Sequence, residues 1–69
     1  MTTEPAHPPT PMDVLRAALR KEEAAYRFYA SALDTTKVEL VRELFTLLRD
    51  EEGKHVRMVK ERIAKLSLG

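Results

Sequence analysis

The sequence predicts an all-α protein: an antiparallel two-helix hairpin that dimerises into a four-helix bundle. Three observations predict it. Apolar residues recur at helical spacing along two segments separated by a few turn-forming residues. The chain has 69 residues and no cysteine. Below roughly 70–80 residues a core usually needs disulfides, a metal or a second subunit, and here the first is excluded. Finally, both apolar stripes are wider than one partner helix requires.

The elements follow in chain order. MTTEPAHPPTP holds all four prolines and offers almost nothing to bury, so residues 1–10 read as a disordered or extended arm. His7 within it has no second ligand nearby and reads as solvated. Thr10 before Pro11 resembles an N-cap with proline at the first helical position, and Asp13 adds favourable charge to the first turn. A helix therefore starts near Pro11 or Met12, and residues 11–69 form the hairpin. Leu15, Ala18, Leu19, Glu22, Ala25, Tyr26, Tyr29 and Leu33 make one stripe, with Arg16, Arg20, Glu23 and Arg27 displaced from it.

The pattern stops in LDTTK, where Asp34, Thr35 and Thr36 favour caps and turns. Thr36 with Glu39 three residues later fits a capping box, so a second helix is expected to begin there. It carries Leu40, Val41, Leu44, Leu47, Leu48, Met58, Val59, Ile63 and Leu66 at helical spacing. Ala24, Phe28 and Ala32 widen the first apolar face, and Phe45, Leu47 and Ile63 the second. A lone hairpin cannot cover this surface, so a homodimer is the expected minimum.

Charge excludes several classes. One third of the residues are charged, yet the formal net charge is +1 and the basic residues are spread out, which is not a nucleic-acid footprint. No apolar run approaches the roughly 20 residues of a membrane span, and the first residues lack the basic-then-apolar pattern of a signal peptide. The expectation is a soluble cytoplasmic protein. Without cysteine, thiolate zinc sites, iron–sulfur clusters and thiol redox chemistry are excluded, leaving His and carboxylate as metal ligands.

Against this background three polar residues stand out. Glu22 sits in the middle of the first stripe, and RDEEGKH puts His55 near the centre of the second. Glu51 and Glu52 flank that centre on opposite sides, and periodicity does not choose between them. Gly53 falls on the outer face, at a cost of about 1 kcal/mol in helix propensity relative to alanine. With a turn centred near Thr35 and Thr36, Glu22 and Glu52 differ in distance from it by about three residues, roughly 4.5 Å along the axis. Tilt and side-chain reach can absorb that difference. Each hairpin would then offer one Glu and one Glu-x-x-His pair, and a two-fold axis doubles the set to four carboxylates and two imidazoles.

This is the ligand set of di-iron and di-manganese carboxylate bundles. Four carboxylates in an apolar interior repel one another, and two divalent ions balance their charge. Two iron ions per dimer interface are expected, with manganese or zinc able to occupy the same donors. The bland readings are an E-x-x-H arising by chance in a charged helix, Glu51 and Glu23 as solvated acids, Met58 as core, and Tyr26 and Tyr29 as packing residues. Tyr26, one turn beyond Glu22, could instead hydrogen-bond a ligand carboxylate.

KEEAAYRFYASAL followed by VRELFTLLRDEEGKHVRMVKERI resembles the rubrerythrin-like branch of the ferritin-like superfamily, over about Leu15–Ile63. The resemblance implies a ferritin-like bundle with Glu22, Glu52 and His55 as metal ligands, choosing Glu52 over Glu51, and with Tyr26 and Tyr29 near the metals. Ordinary rubrerythrins have both halves of the bundle in one chain and often a cysteine-ligated iron domain, neither of which is present here. RDEEGKH also resembles encapsulated ferritins, short two-helix proteins that build a ferroxidase centre between subunits, form higher oligomers and act inside an encapsulin shell. KLSLG is a faint echo of their shell-targeting tail. The implied activity is Fe(II) oxidation by dioxygen or peroxide. The alternatives are a non-catalytic metal-binding or structural bundle and a peroxide reductase served by an external electron donor.

Overall fold

The computed structural model describes residues 8–69, so the arm expected for the first residues, His7 included, lies largely outside the described residues. Two helices follow, α1 (Pro11–Thr35) and α2 (Glu39–Leu68), packed side by side as an antiparallel hairpin.

α1 starts where Thr10 and Pro11 predict. The Asp13 N–H donates to Thr10 Oγ1 at 3.1 Å and the Thr10 N–H donates to Asp13 Oδ2 at 2.9 Å, a reciprocal capping box. The second donation holds the Asp13 carboxyl below its ordinary range.

The capping box expected at Thr36 and Glu39 does not form. Thr36 instead ends α1, its N–H donating to the Ala32 carbonyl at 3.0 Å, and α2 begins after Val38 without a side-chain cap. Thr36 is thus too far back to reach the first turn of α2. Arg42 joins the two ends: its guanidinium donates to the carbonyls of Leu33 at 2.6 Å and Thr36 at 3.0 Å. Orphan carbonyls at the end of one helix are satisfied by a cation from the next. Arg42→Met keeps the stem but loses both donors; allowing for partial exposure, about 1–2 kcal/mol of stability should go with them, read as a lower urea midpoint.

The connection is Thr36–Val38, centred on Lys37 rather than on Thr35 and Thr36. Glu22 precedes Lys37 by fifteen residues and Glu52 follows it by fifteen. The expected axial offset between the two acids therefore vanishes.

Between the helices, Leu33 is buried, and Leu15, Leu19, Val41, Leu48, Val56, Val59 and Ile63 are partly covered. Tyr29 and Phe45 meet edge to face at 5.6 Å between ring centroids, and Phe28 joins at 5.3 Å from Tyr29. This is a seam rather than a closed core. Counting about 100° per residue, the flank carrying His55 also carries Val14, Phe28, Leu40, Leu44, Leu47 and Met58. All six are exposed, Phe28 at 63% and Leu47 at 65%. Met58, expected in the core, is half exposed in the single hairpin because its side chain points along this flank. Among the described residues no helix is long and apolar enough to cross a membrane.

Candidate metal centre

Glu22 reaches inward from the middle of α1, and Glu52 and His55 come from successive turns of α2. Equal spacing from Lys37 puts them at one level. His55 Nδ1 lies 3.3 Å from Glu22 Oε2 and 3.4 Å from Glu52 Oε2. Each residue presents one ligand-type atom within 4.8 Å of the other two.

The choice between the adjacent acids is visible in their surroundings. The Glu51 side chain is 57% exposed and pairs with Lys54 at 3.5 Å, whereas that of Glu52 is 21% exposed and faces α1. His55 is displaced from the centre of the stripe towards the apolar flank, with 41% of its side chain exposed. The cluster is thus closed behind by the helix seam and open beside His55.

Gly53 does not lie on an outer face. It turns towards α1, where a Cβ would stand 3.5 Å from Tyr26 Cε2 and 3.7 Å from Arg57 Nη1. Tyr26 packs over this glycine and makes no hydrogen bond to Glu22, Glu52 or His55. Sequence periodicity misses this contact because it depends on how far a tyrosine leans across the neighbouring helix.

Two carboxylates and one imidazole form a donor set suited to iron, manganese or zinc. Glu52 Oε2 is buried and accepts no aligned hydrogen bond, with His55 Nδ1 standing off at 3.4 Å. Such an oxygen in a protein interior is costly unless a proton or cation meets it. The donors therefore fit a divalent metal on an observation independent of motif.

The family model described as Rubrerythrin matches residues 13–69, which spans both helices and all three clustered side chains.

The chain belongs to the rubrerythrin family.

Searches of curated proteins and of solved structures found no significant match. Rubrerythrins typically bind iron, and the Glu22, Glu52 and His55 cluster is where this rubrerythrin could hold a metal.

The cluster's proton affinities are skewed in the same sense. The facing carboxyl groups divide their charge: the neighbouring Glu52 carboxyl lowers Glu22, while contact with Glu22, together with desolvation, raises Glu52. His55 is raised, chiefly by its hydrogen bond to Glu22. Raised groups favour the fold when protonated. The His55 contribution in this rubrerythrin is complete below its ordinary value of 6.5 and is lost as pH climbs through its higher folded-state value. That of Glu52 is lost likewise above its ordinary 4.5, whereas that of Glu22 is present above 4.5 and disappears only as pH falls through its lowered value. Metal-free protein should therefore have a lower urea midpoint at pH 8 than at pH 5.5. A divalent metal, which displaces these protons, should reverse the order.

Proposed function

We propose that this chain is a non-haem di-iron carboxylate protein whose metal site is completed between two copies, and that it oxidises Fe(II). The observation that carries the reading is the Glu22, Glu52 and His55 cluster, with a buried Glu52 oxygen lacking an aligned hydrogen bond, beside an exposed apolar flank. One hairpin supplies three donors on an open side. A second hairpin related by a two-fold axis supplies three more and covers Phe28, Leu44, Leu47 and Met58. Burying each such side chain contributes about 1.5–3 kcal/mol.

Fe(II) is the substrate. Two ions give up one electron each; dioxygen takes the pair with two protons and leaves as hydrogen peroxide, or hydrogen peroxide takes the pair with two protons and leaves as two waters. The chain's own part is to hold the ions together and to move protons. Loading requires Glu52 and His55 to release protons, and His55 Nδ1 and the two carboxylates then share the load of binding. The protein is proposed to work in the cytoplasm, free or inside an encapsulin-type shell, as an oligomer of at least two chains.

Aerobic addition of Fe(II) tests the reading. The expected result is a rapid rise of ferric absorbance, saturating at one iron per chain. Metal binding without oxidation would leave a non-catalytic metal-binding bundle. Peroxide consumption only in the presence of a supplied reductant would mark a peroxide reductase.

A further inference from the structure

The face turned away from the apolar flank carries a second feature, a groove of about 300 Å³ lined by Glu23, Tyr26, Arg27, Gly53, Val56 and Arg57. That volume lies at the lower end of small-molecule sites. We propose that this groove binds a small oxyanion, a carboxylate or phosphate group on a compact molecule, held between Arg27 of α1 and Arg57 of α2.

The first argument is charge without a partner. Among the described residues, the ion pairs are Arg49–Asp50, Lys54–Glu51, Lys65–Glu61 and those of His55 with Glu22 and Glu52. Arg27 and Arg57 make no ion pair and no side-chain hydrogen bond among the described residues. Glu23 is one turn before Arg27, where an ion pair is usual, yet it stays apart from both guanidinium groups. One acid against two bases leaves the groove positive. Arg16, Arg20 and Lys60, on the same face by helical periodicity, deepen the positive field.

The second argument is space. Gly53 has no positive φ, so the backbone does not require glycine there. Its effect is to leave the groove floor bare. An added Cβ would make ordinary contacts with Tyr26 and Arg57, and any longer side chain would occupy the groove itself. The Tyr26 ring and Val56 give the floor an apolar surface beneath a charged rim. Guanidinium groups match carboxylate and phosphate oxygens in forked geometry, which makes an oxyanion the natural occupant. Because the groove lies opposite the apolar flank, a second hairpin covering that flank would leave it open.

The test follows backbone amide NMR signals of the metal-free full-length chain, at constant ionic strength, during titration with inorganic phosphate and separately with malonate. The expected result is saturable shifts centred on Tyr26, Gly53 and Arg57 with at least one of the two anions, and the tighter one identifies the class. Arg27→Gln and Arg57→Gln should each weaken binding about tenfold, the loss of one charge-assisted contact. Gly53→Leu should abolish it with the helical spectrum retained. Glu23→Gln should strengthen it, and Arg16→Gln should change it by less than about twofold, as expected of a screened charge farther along the face. Shifts centred on His55, an equal loss in Arg16→Gln, unchanged binding in folded Gly53→Leu, or no saturable shift with either anion would overturn the proposal.

Discussion

Fe(II) added in air to the Glu52→Ala protein is expected to oxidise no faster than in buffer, and the protein to hold no tightly bound metal. The size of the effect follows from symmetry. In the proposed dimer one substitution removes two carboxylates from a single centre, one from each copy. It also removes the oxygen that is buried without an aligned hydrogen bond, so the empty site should become easier to fold. The variant is therefore expected to be at least as stable as metal-free wild type at pH 8, while losing metal-dependent stabilisation. His55→Ala should also lose metal but spare Glu52. Unchanged metal stoichiometry in both variants, measured after desalting, would sink the assignment of the cluster. Glu61→Ala is the matched control, because Glu61 lies on the back of α2, is 63% exposed and pairs with Lys65.

The second large effect belongs to the apolar flank. Leu44→Glu places a charge among Phe28, Leu40, Leu47 and Met58, where a second hairpin would bury it. An unpaired buried charge costs several kcal/mol, enough to separate the copies. Sedimentation should show wild-type dimers or larger species giving way to a single chain, with Fe(II) oxidation lost although Glu22, Glu52 and His55 are intact. Lys60→Glu, on the opposite and exposed side of α2, should leave both measurements unchanged. If the Leu44→Glu protein sedimented as wild type and still oxidised iron, the centre would lie within one chain.

Much of this was legible in the residues. The 3.6-residue recurrence of apolar residues marked both helices, and Thr10–Pro11 marked the first boundary to within one residue, because capping is a local matter of a hydroxyl and the next three N–H groups. Glu22 was legible as an acid amid apolar neighbours. The second boundary was less so. Thr36 and Glu39 satisfy the spacing of a capping box, but the chain uses three residues outside both helices to reverse direction, and Arg42 meets the end of α1 from across the turn. Such a long-range bond leaves no periodic trace. For the same reason Gly53 read as outward: on a wheel it stands to one side of Glu52, and only the reach of Tyr26 brings it into the contact between helices.

The three-residue connection has a meaning beyond joining the helices. Lys37 stands fifteen residues from each glutamate, so the chain measures out its metal site by counting in both directions from a fold point that Arg42 pins. Position along the chain is thereby converted into coincidence in space. Nothing in the local sequence around Glu22 need refer to Glu52, since a common origin suffices to bring them level. The hairpin works as a folded ruler, and an inserted or deleted residue in the connection would be read as an error at a site more than 20 Å away, at about 1.5 Å per helical residue.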